Sequence, residues 1–486
     1  MTAEVVRALE GISGERVYTD PDVLRLYSRD ASFESGEHPL AVVEPVDVDE
    51  VVKIVKLAIR YNKKVIVVGA STSLSGNAVP KTSDAIVISM AKMNNIIEVS
   101  EVDWYARVQP GVRVDELNLE LARYGLQWPV DPASSKAATV GGVISNGGGG
   151  VRGAKYGPAS HWVLALQAVI GTGDVINVGC YTVKCREGYN LLQLFIGSEG
   201  TLGVITEATL RLAPLPQSFV GVLGQFNNVE DLVNTVIDIR KAKLWTMINE
   251  FLDERLSQLV GLDNKFHLWV GVDVNAGGEG IVLEQLKNSV VKNRGEVVGV
   301  AYSLGEFNKL LEPRRRLYTA ALQAAFGDYG NNALVFIEDI AVPMSKLPNA
   351  VRDLTELGGK YGIKMVIGGH IGDGNIHPTM WVNKSDKKEV EKALRLFEEI
   401  GKVGIKYRGT VSAEHGIGTQ KKELLKESLV AKKQGNYIVS YNLMVQIKKV
   451  FDPYNIFNPG KMLLLCPLSG SLNSARLSST DRKSVV

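Results

Sequence analysis

Three of the six histidines in the chain crowd into two short stretches, Gly368-Gly369-His370-Ile371-Gly372-Asp373-Gly374-Asn375-Ile376-His377 and Ser412-Ala413-Glu414-His415-Gly416. A single histidine is ordinarily a surface or hydrogen-bonded core residue. Three of them beside a carboxylate have the makings of a reaction centre: two imidazoles and one carboxylate can hold a divalent metal and leave coordination positions open, while a third imidazole moves a proton. The glycines between His370 and His377 exclude a helix interior, where each would cost about 1 kcal/mol. Gly372-Asp373-Gly374-Asn375 has the composition of a tight reversal, which would turn the two histidines toward one point. Glu414 and His415 are sequence neighbours, so in extended backbone their side chains face opposite ways, one to bind and one to react. The spacing matches no short zinc motif.

Elements of both kinds must position these groups, and a chain of 486 residues has room for them, with a length that suits roughly two to four domains and a buried cofactor. Over the first ~215 residues helices and strands alternate with Gly-rich connections. Asp47 with Glu50 makes a capping-box-like start to an amphipathic helix from Val48 to Tyr61, and Lys64–Val68 reads as a buried strand. Strands are expected at Ala85–Ser89 and Tyr105–Gln109, and a helix from about Val114 to Tyr124 should stop at Gly125. After Pro214-Leu215-Pro216 the composition shifts. Strand-like runs such as Phe266–Val274 and Ala333–Val342 alternate with charged helices, as in a second α+β domain. A helix is expected near Tyr441–Val450, followed by the turn-rich Asp452–Lys461. The Ser-rich stretch Leu468–Val486 reads as a disordered tail. The expected division is therefore residues 1–215, 216–440, a closing segment 441–467, and the tail 468–486.

Composition excludes several classes. With 55 basic and 53 acidic residues the net charge is +2, which gives no electrostatic case for nucleic acid. Cys180, Cys185 and Cys466 make neither a disulfide framework nor a four-thiolate zinc site, although the closeness of the first two raises the question of a bond. A reducing, cytoplasmic setting fits them. The start Met1-Thr2-Ala3-Glu4 lacks a secretory pattern, and no run approaches the ~18 apolar residues that cross a bilayer. The expectation is a soluble protein, at most peripheral at the inner face of a membrane, with a homodimer compatible.

Two glycine-rich segments stand out in the first domain. Gly69-Ala70-Ser71-Thr72-Ser73-Leu74-Ser75-Gly76-Asn77 directly follows a strand, and its small residues let backbone N–H groups approach an anion closely. It lacks the lysine of a P-loop and the Gly-x-Gly-x-x-Gly of a Rossmann turn. The second, Thr139-Val140-Gly141-Gly142-Val143-Ile144-Ser145-Asn146-Gly147-Gly148-Gly149-Gly150, is entropically costly to order unless something flat or anionic packs against its bare backbone.

Together with Pro129-Val130-Asp131-Pro132 and Phe195-Ile196-Gly197-Ser198-Glu199-Gly200-Thr201-Leu202-Gly203-Val204-Ile205-Thr206, these segments resemble the FAD-binding domain of the vanillyl-alcohol oxidase superfamily. With Gly369–His377, Ser412–Gly416 and Asp452–Lys461 added, the chain is similar, from about Tyr18 to Lys461, to the FAD-linked D-2-hydroxyacid dehydrogenases, the group acting on D-lactate, glycolate and D-2-hydroxyglutarate. The resemblance implies an α+β, two-domain, vanillyl-alcohol-oxidase-type FAD-binding fold with an α+β cap domain. It implies that Ser71, Thr72, Ser73, Leu74, Ser75 and Gly76 hold the FAD pyrophosphate. Asp131, Pro132, Thr139, Gly142, Asn146, Gly149, Gly200, Gly203 and Ile205 would line the cofactor channel and Asn458 would close it. Residues 69–80 and 139–150 contain no histidine for covalent attachment, so FAD is expected to be non-covalent.

The same resemblance implies a divalent ion, zinc or manganese, on His370, His377 and Glu414, which would bind the substrate's 2-hydroxyl and a carboxylate oxygen. His415 would be the general base, and hydride would pass from C2 to flavin N5. For the substrate carboxylate the segment Glu312-Pro313-Arg314-Arg315-Arg316-Leu317-Tyr318 supplies cations. Pro313 suits a first helical turn, Arg314 and Tyr318 would share a face at i, i+4, and the family arginine matches Arg314, with Arg315 one register away. Ile337 stands where similar D-2-hydroxyglutarate enzymes carry a lysine, which tilts the expectation from a dicarboxylate toward D-lactate. A quinone, an electron-transfer protein or a cytochrome would take the electrons. Alternatives from other classes are an FAD-dependent transferase without net redox work and a metallohydrolase without flavin.

Overall fold

The computed structural model describes residues 2–432 and 437–463. The expected tail Leu468–Val486 and Cys466 lie outside them. The chain divides into two compact units, and among the described residues no helix is long and apolar enough to cross a membrane.

The first unit takes in the chain to Gly148, Pro158–Pro214, and the described residues from Glu414 onward. Its first sheet runs Val17–Tyr18, Ala41–Val43, Ala85–Ser89, Lys64–Val68, with the last three strands parallel. Helix Val48–Arg60 makes the crossover between two of them. The Asp47 carboxylate caps it by accepting from the Glu50 N–H at 2.9 Å, and Val51, Ile54, Val55 and Ala58 face the sheet and are fully buried. Both follow from the sequence spacing. Near its other end the chain adds to the Lys64–Val68 edge: Val65 N–H donates to Ile456 O at 2.8 Å and Asn458 N–H donates to Val65 O at 2.9 Å, so Ile456 and Phe457 join the same core. A second, antiparallel sheet has the order Ile96–Ser100, Tyr105–Val108, Gly203–Arg211, Val163–Ile170, Val175–Gly179. Directly after its edge strand Cys180 and Cys185 are joined by a disulfide, a pairing that runs against the reducing setting expected for these cysteines.

The second unit comprises Gly149–Gly157 and Leu215–Ala413. Its antiparallel sheet runs Glu296–Ala301, Ser218–Phe226, Phe266–Val274, Ile248–Leu252, Met365–Gly369, Asn375–Asn383, Ala333–Ile337, and its core includes Phe219, Leu252, Trp269, Phe307 and Trp381. The run Ala333–Val342, expected as one strand, is interrupted. Ala333–Ile337 and Ile340–Ala341 are separate strands, both paired with Asn375–Asn383. The break falls at Glu338-Asp339, whose side chains are completely buried. Apolar periodicity carries through this stretch, but two adjacent carboxylates cannot both be satisfied by a regular ladder. The backbone turns to give them partners: Asp339 N–H donates to its neighbour's Oε2 at 2.6 Å.

Candidate active site

In the second unit the Gly-Asp-Gly-Asn segment forms the turn of a hairpin between Met365–Gly369 and Asn375–Asn383, with Gly368 opposite His377. The turn closes on His370, whose carbonyl accepts from the Asp373 and Asn375 N–H groups at 3.3 and 3.2 Å. Gly374 has φ +85°, and a Cβ there would fall 2.1 Å from the Val342 carbonyl oxygen, so only glycine fits. The hairpin brings the His370 and His377 rings edge to face, 5.1 Å apart between centroids, and both residues are buried.

One carboxylate fixes the first of these rings, and a second lies beside the other. Glu250, on strand Ile248–Leu252 and fully buried, has Oε1 2.6 Å from His370 Nδ1 and Oε2 2.7 Å from an Arg314 terminal nitrogen. Asp339 lies 3.8 Å from His377 Nδ1. Its oxygens accept from Asn375 Nδ2 at 2.6 Å, Ser412 Oγ at 2.8 Å and Ala413 N–H at 2.7 Å. An imidazole whose Nδ1–H is held by a carboxylate presents Nε2 as its ligand atom, the arrangement usual around metal-binding histidines. This donor chemistry fits a divalent ion. Glu250 was not singled out from the sequence. Its signal is a lone carboxylate flanked by apolar residues in the strand-like run Ile248-Asn249-Glu250-Phe251-Leu252, which needs a buried partner.

Arg314 and Tyr318 do not share a helix face. The chain breaks at Arg316, ending helix Glu312–Arg315 and starting Leu317–Tyr329. Arg314 is 8 % exposed and Tyr318 40 %. The Arg triplet is divided: Arg314 turns inward to Glu250, Arg315 bonds Asn308 on the surface, and Arg316 donates to the Val260 carbonyl. Arg314 Nε is buried and has no acceptor among the described residues.

In the first unit the loop after Lys64–Val68 holds Ser71 at φ +54°, and the N–H groups of Thr72, Ser73, Leu74, Gly76 and Asn77 find no acceptor among the described residues. Such a row of donors suits a pyrophosphate. The second glycine segment is not irregular throughout. Val140–Asn146 is a short helix capped by the Thr139 hydroxyl, which accepts from Gly142 N–H at 3.2 Å. Gly69 packs against that cap so closely that a Cβ would lie 2.3 Å from Thr139 Oγ1. Pro132 O accepts from Ser135 N–H in the approach to this helix, and Gly149 opens the short segment belonging to the second unit. Gly203 and Ile205 sit on strand Gly203–Arg211, and Asn458 donates to Glu199 O at 2.7 Å beside Gly200. The unit thus gathers residues 69–77, 139–147, 197–203 and 458, a bare-backbone cradle with donors to spare that fits FAD. Burial pushes the Glu199 carboxyl up to about 7, against the pull of two N–H donors, and pushes the Lys461 ammonium down to about 7.

These two units define a fold class, the two-domain α+β fold of the vanillyl-alcohol-oxidase type. The backbone is similar to p-cresol methylhydroxylase, with a TM-score of 0.75 at 16% identity over 95% of this chain and 96% of that one. It is also similar to alkyldihydroxyacetonephosphate synthase, with a TM-score of 0.73 at 19% identity over 94% of this chain and 85% of the other. Residues 39–179 match the FAD binding domain family, and residues 215–462 match the C-terminal domain of FAD linked oxidases. The chain belongs to the FAD-linked oxidases. It is 33% identical to glycolate oxidase subunit GlcD of Bacillus subtilis over 95% of this chain and 97% of that one. Against D-lactate dehydrogenase of Archaeoglobus fulgidus the identity is 35% over 87% and 91%. Against D-2-hydroxyglutarate dehydrogenase of Stutzerimonas stutzeri it is 30% over 92% and 96%. It is an FAD-linked oxidoreductase related to these enzymes.

Proposed function

We propose that the chain oxidises a D-2-hydroxy acid, D-lactate foremost, to the 2-oxo acid, using non-covalent FAD and a divalent zinc or manganese ion. The supporting observation is the buried hairpin in which Glu250 fixes His370 edge to face with His377. His370, His377 and Glu414 would hold the ion, whose chemistry is to acidify a bound hydroxyl. FAD supplies the two-electron acceptor and would be held by Ser71–Gly76, the Val140–Asn146 helix with its Thr139 cap, and its neighbours. His415 takes the hydroxyl proton. Arg314, partly neutralised by Glu250 and keeping its Nε–H, binds the substrate carboxylate, with Tyr318 at the rim. An aliphatic Ile337 in place of a second cation favours a monocarboxylate.

The test is anaerobic flavin reduction by a panel of D- and L-2-hydroxy acids with and without chelator. Reduction by D-lactate that chelation abolishes is the expected result. Flavin that stays oxidised with every 2-hydroxy acid would overturn the proposal.

A further inference from the structure

Four backbone groups of the stretch Glu414–Gly418 are held by side chains from three different segments of the first unit, two loops and a short helix, all of them parts of the flavin cradle. From the first glycine loop, Ser75 Oγ donates to the His415 carbonyl at 2.8 Å. From the capped helix, Asn146 Nδ2 donates to the Glu414 carbonyl. From the second loop, Glu199 accepts the Ile417 and Gly418 N–H groups on its two oxygens at 2.6 and 2.7 Å.

The stretch has given up side chains to be gripped this way. A Cβ on Gly416 would stand 2.7 Å from Glu199 Oε1 and 3.2 Å from Asn146 Oδ1, and one on Gly418 would stand 1.9 Å from the Ser75 carbonyl. Glu199 itself is 4 % exposed and adopts φ +55°. A non-glycine residue in the left-handed region, carrying a buried carboxylate, is doubly unfavourable unless its bonds return something.

We propose that Glu199, with Asn146 and Ser75, is a positioning residue that locks the Glu414–Gly418 backbone so that Glu414 and His415 are held in fixed register with the flavin loops. The role in turnover rests on the reading of Glu414 as ligand and His415 as base. The clamp itself rests only on the bonds above. It follows that weakening one clamp bond loosens this segment locally and slows the reaction without weakening substrate binding.

The test compares flavin-loaded wild type with Glu199→Gln, whose carboxamide keeps one acceptor and loses the other, and with Ser75→Ala, which removes one hydroxyl. Above pH 7, where the Glu199 carboxyl is ionised, amide hydrogen exchange of the peptide spanning residues 414–419 should accelerate about 10- to 100-fold in Glu199→Gln, the equivalent of one charge-assisted bond, and by a smaller factor in Ser75→Ala. With D-lactate, kcat should fall while KM stays near the wild-type value, and Glu199→Asp, one methylene too short for both amides, should not restore kcat. Exchange at 414–419 unchanged in both variants overturns the clamp. Acceleration spread evenly over the first unit also overturns it, because that marks general loosening. Local acceleration with unchanged kcat overturns the positioning role. Exchange needs no substrate, so the absence of any active 2-hydroxy acid defeats the functional reading and leaves the clamp to be judged separately.

Discussion

Oε1 of Glu250 lies 2.6 Å from Nδ1 of His370, and the other oxygen of the same carboxylate holds Arg314 at 2.7 Å. One buried anion therefore sets the orientation of an expected metal ligand and of the expected substrate cation. Glu250→Gln keeps the shape but can accept on only one oxygen, so either His370 or Arg314 loses its partner. Metal affinity should drop about 10- to 100-fold, the usual cost of losing an outer-shell partner. Metal content after dialysis against graded chelator measures it, and retention equal to wild type would count against the assignment. Glu250→Ala should also destabilise the fold by about 3–5 kcal/mol, because Arg314 would be left buried without its carboxylate.

The cradle offers a suppressor test. Gly69→Ala places a methyl 2.3 Å from Thr139 Oγ1 but 3.5 Å from Thr139 Cβ, so the clash is with the hydroxyl alone. Gly69→Ala should lower bound flavin per protein and the Tm. Thr139→Ala alone should cost about 1 kcal/mol through its lost cap. The double variant should be more stable than Gly69→Ala. A double variant showing simply additive losses would mean that the two residues do not meet in this way.

Legibility in the sequence followed the range of the interaction. The helix over Val48–Arg60 with its Asp47 cap, the strands Lys64–Val68, Ala85–Ser89 and Phe266–Val274, and the stop at Gly125, which adopts φ +67°, are written in local spacing and capping chemistry. So is the turn that joins His370 to His377. What escaped depends on partners far along the chain. Glu250 answers to residues at 314 and 370, and Glu199 to residues at 417 and 418. The break at Glu338-Asp339 answers to Pro378, Asn375 and Ser412. Helical periodicity also misled at Arg314 and Tyr318, since i, i+4 spacing holds only if the helix continues past Arg316.

Asp253 gives a pH dependence with a defined sign. It is buried, accepts from the Leu256 and Ile367 N–H groups at 2.7 Å each, and burial lifts its carboxyl from 3.8 to about 7, the two N–H bonds opposing. Between these values the folded chain carries a proton that the unfolded chain has released. Stability from this group therefore falls as pH rises through that window and levels off above about 7, by at most ~1.4 kcal/mol per unit. Asp253→Asn imitates the protonated form and carries a constant penalty for one lost acceptor. Its stability relative to wild type should improve from pH 5 to pH 7 in denaturant titrations. Parallel curves over that range would refute the assignment.

The division of labour between ligands and base is open to a paired test. His377 is buried beside His370, on the strand that follows the turn, whereas His415 belongs to the stretch held through its backbone by Ser75 and its neighbours. If His377 is a ligand, His377→Ala should release metal while flavin stays bound, because no part of the flavin cradle leans on it. If His415 is the base, His415→Ala should keep both flavin and metal, since the bonds that order its segment involve main-chain atoms that alanine also provides. Flavin reduction by D-lactate in that variant should slow by at least ~10²-fold, the scale of general-base removal. It should recover in part as pH rises, because solvent hydroxide then substitutes for the missing imidazole. Fast reduction in His415→Ala at neutral pH would remove the base role from this residue, and full metal occupancy in His377→Ala would remove the ligand role from the other.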